Sequence, residues 1–250
     1  IEDTLLERTN VVRSEGLGKA SRLNDAQERY IDFCSSCSPN LDLSDIKLIV
    51  DCANGANYSI APKVFKKLGA DVIELGTTPN GVNINQDCGS TNPDSLRKEV
   101  LDRKADLGIA FDGDGDRLLF VDKKGNDLDG DDLLYTLVSR SIKQPNKGAL
   151  SGVVGTLMTN KALEDFLVKE EIEFFRADVG DKYVLKELQE RKWVLGGEPS
   201  GHILVPHLSK TGDALMNSLL ILCEFVKDKK PSSKFFNKFI PIPQIIHNLK

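Results

Sequence analysis

Nowhere in the 250 residues does an apolar run approach the ~20 needed to cross a bilayer, so a helical membrane span is not expected. An excess of one charge is missing too: 33 Lys+Arg stand against 38 Asp+Glu, a net charge of −5. Nucleic-acid modules concentrate basic residues on one face, and this balance speaks against such a surface. The opening Ile1-Glu2-Asp3-Thr4 has neither the basic nor the apolar region of a signal peptide. These absences predict a cytoplasmic protein with no membrane and no nucleic-acid partner.

Cysteine is sparse and odd in number: Cys34, Cys37, Cys52, Cys88 and Cys223. Cys34 and Cys37 form a C-x-x-C, which raises redox chemistry or half a zinc site. No second such pair and no paired histidines supply the missing ligands. Ala26, Tyr30, Phe33, Cys34 and Cys37 follow helical spacing behind an Asn24 cap, with Gln27 at the third helical position. That spacing puts the thiols on a packing face, where reduced cysteine behaves as a small hydrophobe. Short-period repeats and low-complexity tracts are absent as well.

What is present is a hydrophobic fraction of 40% and a charged fraction of 28%, enough for a core and a wet surface. From residue 46, short apolar runs alternate with amphipathic segments. Ile46 to Val50 reads as a buried strand, Ala61 to Leu68 as a helix ended by Gly69, and Val72 to Leu75 as a strand. Asn92 and Pro93 read as N-cap and first residue of a helix that turns Leu96, Val100 and Leu101 inward. Leu107 to Phe111 and Leu118 to Val121 follow as strands, with a polar turn at Asp122 to Asn126.

A similar series begins near residue 130. It has a helix around Leu133 to Val138, a loop at Gln144 to Gly148, a strand at Val153-Val154 and a helix around Ala162 to Leu167. Phe174-Phe175 is a strand, Val184 to Leu188 a helix, and Ile203 to Val205 a strand. A helix from Leu215 to Val226 closes the series. The pattern predicts two consecutive α/β domains with mixed, mainly parallel sheets, spanning 1–129 and 130–240, with 241–250 starting a linker.

The densest chemical signal is Asp112-Gly113-Asp114-Gly115-Asp116-Arg117, directly after a strand. Three carboxylates at alternating positions repel unless a cation sits among them, and the glycines allow the tight turn that brings them together. A hard divalent cation such as Mg²⁺ suits an all-oxygen set, and open α/β sheets hold ligands beyond strand carboxyl ends. A calcium EF-hand loop fails, because its sixth position should be Gly and is Arg117, and its twelfth should be Glu and is Lys123. A solvated acidic turn leaves the glycine spacing and the arginine unexplained.

The second signal, Gly196 to His202, offers Glu198, Ser200 and His202 within a glycine-bounded loop. These groups suit a polyhydroxylated ligand, while a turn satisfying its own backbone is the plainer reading. A Ser200 nucleophile elbow is excluded, since Glu198 stands where Gly is required. Asp178 to Tyr183 is weaker. Lys182 at a helix start could meet phosphate or sugar, or simply face water.

Together these stretches resemble the α-D-phosphohexomutase superfamily, in which they are the metal-binding and sugar-binding loops. Val50 to Ala56, Pro79 to Asn85, Val154 to Met158 and Val179 to Val184 narrow the resemblance to its phosphoglucosamine mutase branch, over nearly the whole chain. Lys182 departs from the usual Arg, keeping a charge but losing a bidentate fork. The resemblance implies a Mg²⁺ site at Asp112, Asp114 and Asp116, and sugar-phosphate contacts from Glu198, Ser200, His202, Arg117 and Lys182. It further implies flanking N- and C-terminal domains that carry the phosphoserine and the phosphate clamp. Neither of those motifs occurs here, so no catalytic nucleophile is expected in these residues and the chain alone is expected to be inactive. Other branches, phosphomannomutase or phosphoglucomutase, share both loops. A non-catalytic sugar-phosphate or metal-binding module is the reading from another class.

Overall fold

The computed structural model describes residues 13–142, 150–236 and 239–245. Five strands build the first sheet: β1 (Lys47–Asp51), β2 (Asp71–Leu75), β3 (Leu107–Phe111), β4 (Leu118–Asp122) and β5 (Asp127–Leu128), in the order β2-β1-β3-β4-β5. β1 lies parallel to β2 and β3, and β4 turns back antiparallel on β3. Four strands build the second: β6 (Gly152–Thr156), β7 (Glu173–Ala177), β8 (Leu195–Gly197) and β9 (Ile203–Leu204), in the order β7-β6-β8-β9. Here β6 is parallel to β7 and β8, and β9 turns back on β8. The mixed, mainly parallel α/β architecture expected from the sequence is the one observed.

Apolar runs dictate the central strands. Leu48, Ile49 and Val50 of β1 and Leu107, Ile109, Ala110 and Phe111 of β3 are fully buried, as strands covered on both faces require. Helix α1 (Ala26–Ser36) precedes the sheet, and α2 (Ala61–Lys67) and α3 (Asp94–Arg103) cover its two faces. Val64 and Phe65 of α2 join Leu48 and Val50. Leu96 and Val100 of α3 join Ile49, Ala110 and Val121. Each such side chain contributes roughly 1.5–3 kcal/mol relative to exposure.

The second sheet is clad by α4 (Gly130–Ser141), α5 (Lys161–Lys169) and α6 (Asp181–Arg191), with α7 (Ala214–Asp228) and the short α8 (Ser232–Phe235) completing the order. Although α7 follows the second sheet in sequence, it packs on β3 and β4 of the first as well as on α4. One apolar core therefore runs from Phe111 and Leu118 through Leu215, Leu219 and Leu222 to Leu133 and Val153. At the far end of α7, Asp228 pairs with Arg140 and Lys230, which hold its carboxyl down to about 2. The Arg140 guanidinium also lies 4.4 Å from the Phe235 ring centre.

Several local expectations need correction. The cap of α1 is Asp25, not Asn24, and no side chain caps that end; Gln27 instead donates to Ser59 Oγ at 2.8 Å. Pro93 is the N-cap of α3 and not its first residue. Leu101 is 50% exposed and lies beside Gly125, so only Leu96 and Val100 face inward. The Gln144 to Gly148 loop, Ile1 to Thr4 and Ile246 lie outside the described residues, and Ile245 is exposed. All five cysteines are free, and burial pushes the Cys34 thiol up to about 12, which keeps it unreactive. Among the described residues, no helix is long and apolar enough to cross a membrane.

Candidate functional site

β3 ends at Phe111 and the chain must reverse to enter β4 at Leu118. Asp112 shapes that reversal: its Oδ1 accepts the backbone N–H of Gly115 (3.2 Å), Asp116 (3.1 Å) and Arg117 (3.0 Å). Gly115 has φ +81°, a left-handed conformation that favours glycine. The turn brings one oxygen each from Asp112, Asp114 and Asp116 within 4.8 Å of one another. Asp116 Oδ1 is buried and has no hydrogen-bond partner. Arg117 Nε stands 3.8 Å from Asp112 Oδ2 and 4.0 Å from Asp116 Oδ1, too far for hydrogen bonds. Three converging carboxylates with an unspent buried oxygen fit a small, hard cation such as Mg²⁺.

Behind this loop stands the turn after β1, and here sequence reasoning saw a family signature without its role. Gly113 O accepts Ala56 N–H at 2.8 Å, and a Cβ on Gly55 would fall 2.1 Å from the same oxygen. Ala53 and Asn54 adopt φ of +53° and +50° to make that approach. Buried Asp51 holds them: Oδ1 accepts Ala53 N–H at 2.9 Å and Oδ2 accepts Gly89 N–H at 2.8 Å. From the Pro79 to Asn85 segment, Ile84 covers Gly113. The legible signal was the pair of glycine-bearing stretches; what they touch depends on tertiary contact.

The second loop occupies the matching reversal, from β8 into β9. Glu198 N–H donates to His202 O at 3.0 Å, and Gly201 N–H donates to Glu198 O at 3.0 Å. The Glu198 carboxylate reaches the start of α6, where Oε1 accepts Gly180 N–H at 2.9 Å. A cavity of about 280 Å³ opens here, lined among others by Arg117, Thr156, Met158, Val179, Glu198 and Ser200. The structure thus brings Arg117, Glu198 and Ser200 to one surface. It does not bring His202 or Lys182 to that lining. His202 is 4% exposed, with Nδ1 3.1 Å from Asp116 Oδ2, and Lys182 Nζ sits 4.8 Å from the Tyr183 ring centre.

The two loops touch through their backbones. Arg117 and His202 form an antiparallel bridge, and Leu118 N–H donates to Gly201 O at 3.2 Å. Gly130 N–H donates to Pro199 O, and Ala214 N–H, at the start of α7, to Gly115 O, both at 3.0 Å. A larger cavity of about 630 Å³ lies beside Ile46 and Asp106, which precede β1 and β3. It opens at the opposite strand ends, whereas the smaller one includes Arg117, the residue that follows Asp116, together with Glu198 and Ser200 of the second loop.

Comparison with known proteins agrees with this pairing of folds. Residues 28–125 match the model described as phosphoglucomutase/phosphomannomutase, alpha/beta/alpha domain II, and residues 129–241 match domain III of the same series. The chain belongs to the phosphoglucomutase/phosphomannomutase family and carries its second and third α/β/α domains.

Among curated relatives, the phosphoglucosamine mutase of Histophilus somni (strain 2336) is 48% identical over 252 residues, covering 100% of this chain and 56% of that protein. The phosphoglucosamine mutase of Acinetobacter baumannii (strain AYE) is 50% identical over 235 residues, covering 94% and 52%. The chain therefore spans about half the length of the curated relatives it matches. A Burkholderia thailandensis phosphoglucomutase/phosphomannomutase family protein superposes with a TM-score of 0.73 at 25% identity, over 84% of this chain and 45% of that one. The Aspergillus fumigatus N-acetylphosphoglucosamine mutase, solved with GlcNAc-6P and magnesium, shares the fold at 18% identity and a TM-score of 0.68, over 87% and 54%.

Proposed function

We propose that these residues form the metal-loop and sugar-loop domains, 1–129 and 130–240, of a cytoplasmic phosphoglucosamine mutase. The intact protein would interconvert glucosamine 6-phosphate and glucosamine 1-phosphate, feeding amino-sugar nucleotide and peptidoglycan precursor synthesis. The observation that carries this reading is the convergence of Asp112, Asp114 and Asp116 beside a cavity lined by Glu198 and Ser200. The names and identities of the curated relatives support the amino-sugar substrate.

Asp112, Asp114 and Asp116 would hold Mg²⁺, which when bound neutralises charge on the phosphoryl oxygens in transfer. Asp112 does so with one oxygen already committed to the turn, so its site is set before any ligand arrives. Glu198 accepts hydrogen bonds from sugar hydroxyls, and Ser200 presents an exposed hydroxyl beside it. Arg117 meets a phosphoryl oxygen at the mouth of the cavity. Lys182 contacts substrate only after leaving the Tyr183 ring. The phosphoryl donor, a phosphoserine, and the clamp for the second phosphate belong to the flanking domains of the intact protein. The serine gives its phosphoryl group to the free sugar hydroxyl, and the bisphosphate returns its other phosphoryl group to the serine.

A coupled assay of the intact, serine-phosphorylated protein tests this. Glucosamine 6-phosphate should be the best substrate by kcat/KM, and residues 1–250 alone should give no turnover with bisphosphate and Mg²⁺. Preference for mannose 1-phosphate or glucose 1-phosphate would assign the protein to the phosphomannomutase or phosphoglucomutase branch. An intact protein that turned over none of these sugars would leave a binding module.

A further inference from the structure

We propose that Tyr30 is a positioning residue for the Asp112 to Arg117 loop, acting through Asp213: its phenol fixes the start of α7, and the first N–H of that helix fixes the loop. This rests on the cation reading of the loop given above. Both glycine carbonyls between the three aspartates accept an N–H from outside the loop. Gly113 O takes Ala56 N–H at 2.8 Å, from the turn after β1, and Gly115 O takes Ala214 N–H at 3.0 Å, from the first residue of α7. The first anchor belongs to the sheet that carries the loop. The second belongs to a helix that arrives from much later in the chain, so it holds the loop only as well as its own start is held.

A helix start is poorly restrained, because its first N–H groups have no partner within the helix. Asp213 restrains this one with both oxygens. Oδ1 accepts Met216 N–H at 2.9 Å, as an N-cap does, and Oδ2 accepts the Tyr30 hydroxyl at 2.6 Å. The second distance is that of a charge-assisted O–H···O⁻ bond, roughly twice as strong as a neutral one. Burial and the Asp213 carboxylate push the Tyr30 pKa up from its ordinary value, so the phenol keeps the proton it donates. Tyr30 is itself tied to the first sheet. It lies on α1, which packs on α2 and α7, and Gln27 of the same helix donates to Ser59 Oγ at 2.8 Å, just beyond Ala56. Both carbonyl anchors are therefore referred to one frame, Ala56 directly and Ala214 through Asp213 and Tyr30. The loop has little slack of its own: a Cβ on Gly115 would fall 2.7 Å from Asn57 Nδ2. A displaced helix start would strain Gly115 or release its carbonyl, and a ligand set tolerates only about 0.5 Å of such movement.

The test is binding of Mn²⁺, in place of Mg²⁺, to this chain, followed by the electron paramagnetic resonance signal of free Mn²⁺. The wild-type chain should bind Mn²⁺ and Asp114→Asn should not. Tyr30→Phe, which loses only the hydroxyl, should bind roughly fivefold more weakly, less than the ~10–100-fold of groups that touch a ligand directly. Asp213→Ser keeps one oxygen for Met216 N–H and has none left for Tyr30, so it should show the same loss. The double variant should be no weaker than either single one, because both remove the same link. Val100→Ala, which opens a cavity under α3, should lower the melting temperature more than Tyr30→Phe and leave Mn²⁺ affinity unchanged.

Wild-type affinity in Tyr30→Phe would overturn the positioning role. So would losses that multiply in the double variant, or a Val100→Ala chain whose affinity falls with its melting temperature. Mn²⁺ binding that is absent, or indifferent to Asp114→Asn, would instead remove the cation reading and this inference with it. Ultraviolet titration of the phenols tests the hydrogen bond by itself. The chain has four tyrosines, and an ordinary one ionises near about pH 10. Tyr30→Phe should therefore leave the phenolate absorbance gained below about pH 11 unchanged. Loss of one tyrosine's share of that absorbance would show that Asp213 does not hold the Tyr30 proton, and would overturn the proposal.

Discussion

The Asp112 to Arg117 loop, proposed to hold metal, and the Gly196 to His202 loop, proposed to read sugar, sit at the same place in two copies of one arrangement. In each sheet a central strand pairs in parallel with the next strand on one side and a third on the other, and a fourth turns back antiparallel. Both loops are that last reversal, β3 into β4 and β8 into β9. Asp112 to Arg117 is shaped from within, by three N–H bonds to one carboxylate oxygen. Gly196 to His202 closes on itself through backbone bonds alone, Glu198 N–H to His202 O and Gly201 N–H to Glu198 O, while its carboxylate, Glu198, reaches out to Gly180 N–H. The scaffold therefore specifies where a loop goes and not what it does. On the roles proposed above, the cation-holding loop spends a carboxylate on its own rigidity, whereas the sugar-reading loop turns its carboxylate outward.

The sharpest way to break the comparison is to delete chemistry from each loop in turn. In the intact enzyme, Asp114→Ala should lower kcat by at least about a thousandfold, because the cation's charge neutralisation goes with its ligand. Melting temperature should stay or rise, since removing one of three crowded carboxylates relieves repulsion. Glu198→Gln should cost roughly 1.5–3 kcal/mol in kcat/KM, about ten- to a hundredfold, because charged hydrogen bonds to hydroxyls become neutral ones. It should also loosen α6, whose Gly180 N–H it holds. Steady-state kinetics and melting curves together decide. A normal Asp114→Ala enzyme, or a Glu198→Gln enzyme as dead as it, would erase the distinction between the loops.

Much of this was legible in the residues, and the failures share a cause. Strands such as Leu107 to Phe111 were read to the residue, because an unbroken apolar run bounded by Asp112 has one interpretation. The alternation of Asp112, Asp114 and Asp116 likewise survives any placement of the turn. Leu101 was read as inward because helical spacing cannot tell the core face from its margin. The sequence groups His202 with Glu198 because both lie in one loop, yet the turn at Pro199 to Gly201 separates them, and His202 faces Asp116 while Glu198 reaches Gly180. Helix α7 was assigned to the second series by order along the chain. Its packing on β3 and β4 is a tertiary fact without a local signature.

Two glycines sharpen the comparison at the level of packing. Gly55 braces the metal loop from within its own sheet, and Gly201 seats the sugar loop on Leu118 of the other. A Cβ would fall 2.1 Å from Gly113 O in the first case and 2.0 Å from Leu118 O in the second. Each Gly→Ala change should destabilise by about 2–3 kcal/mol, because a backbone must shift. Gly201 has the added strain of φ +89°. The functional consequences should differ: Gly55→Ala should weaken Mn²⁺ binding alone, and Gly201→Ala both Mn²⁺ and sugar-phosphate binding, since it moves the bridge. Denaturant titration and binding assays of both variants would decide, and identical binding defects would refute the idea that only one brace crosses the junction.

The smallest expected effect contrasts one buried carboxylate from each half. Asp51 spends both oxygens on backbone N–H groups, so although burial raises its pKa, those bonds work against the rise. Asp131, in the first turn of α4, spends only Oδ2, on Asn160 N–H at 2.7 Å, and leaves Oδ1 buried without a partner. Burial pushes its carboxyl up to about 7, with the Asn160 bond opposing and Asp129 adding to the rise; neighbouring Asp132 shifts in the same direction. The folded state therefore keeps a proton that the unfolded chain releases near the ordinary 3.8. That contribution is complete below about pH 4 and is lost as pH rises through about 7, so the melting temperature should fall across pH 5 to 8. Asp131→Asn should flatten that slope, because the variant has no charge to bury and still offers an acceptor to Asn160. Asp51→Asn should act differently. It turns an amide NH₂ toward a backbone N–H and should cost about 1–3 kcal/mol near neutral pH, with a smaller change of slope than Asp131→Asn, because two N–H bonds oppose the rise of its pKa. Melting curves of the two variants from pH 5 to 8 separate the cases. A slope unchanged in Asp131→Asn, or abolished in Asp51→Asn, would show that the two halves bury their carboxylates on the same terms.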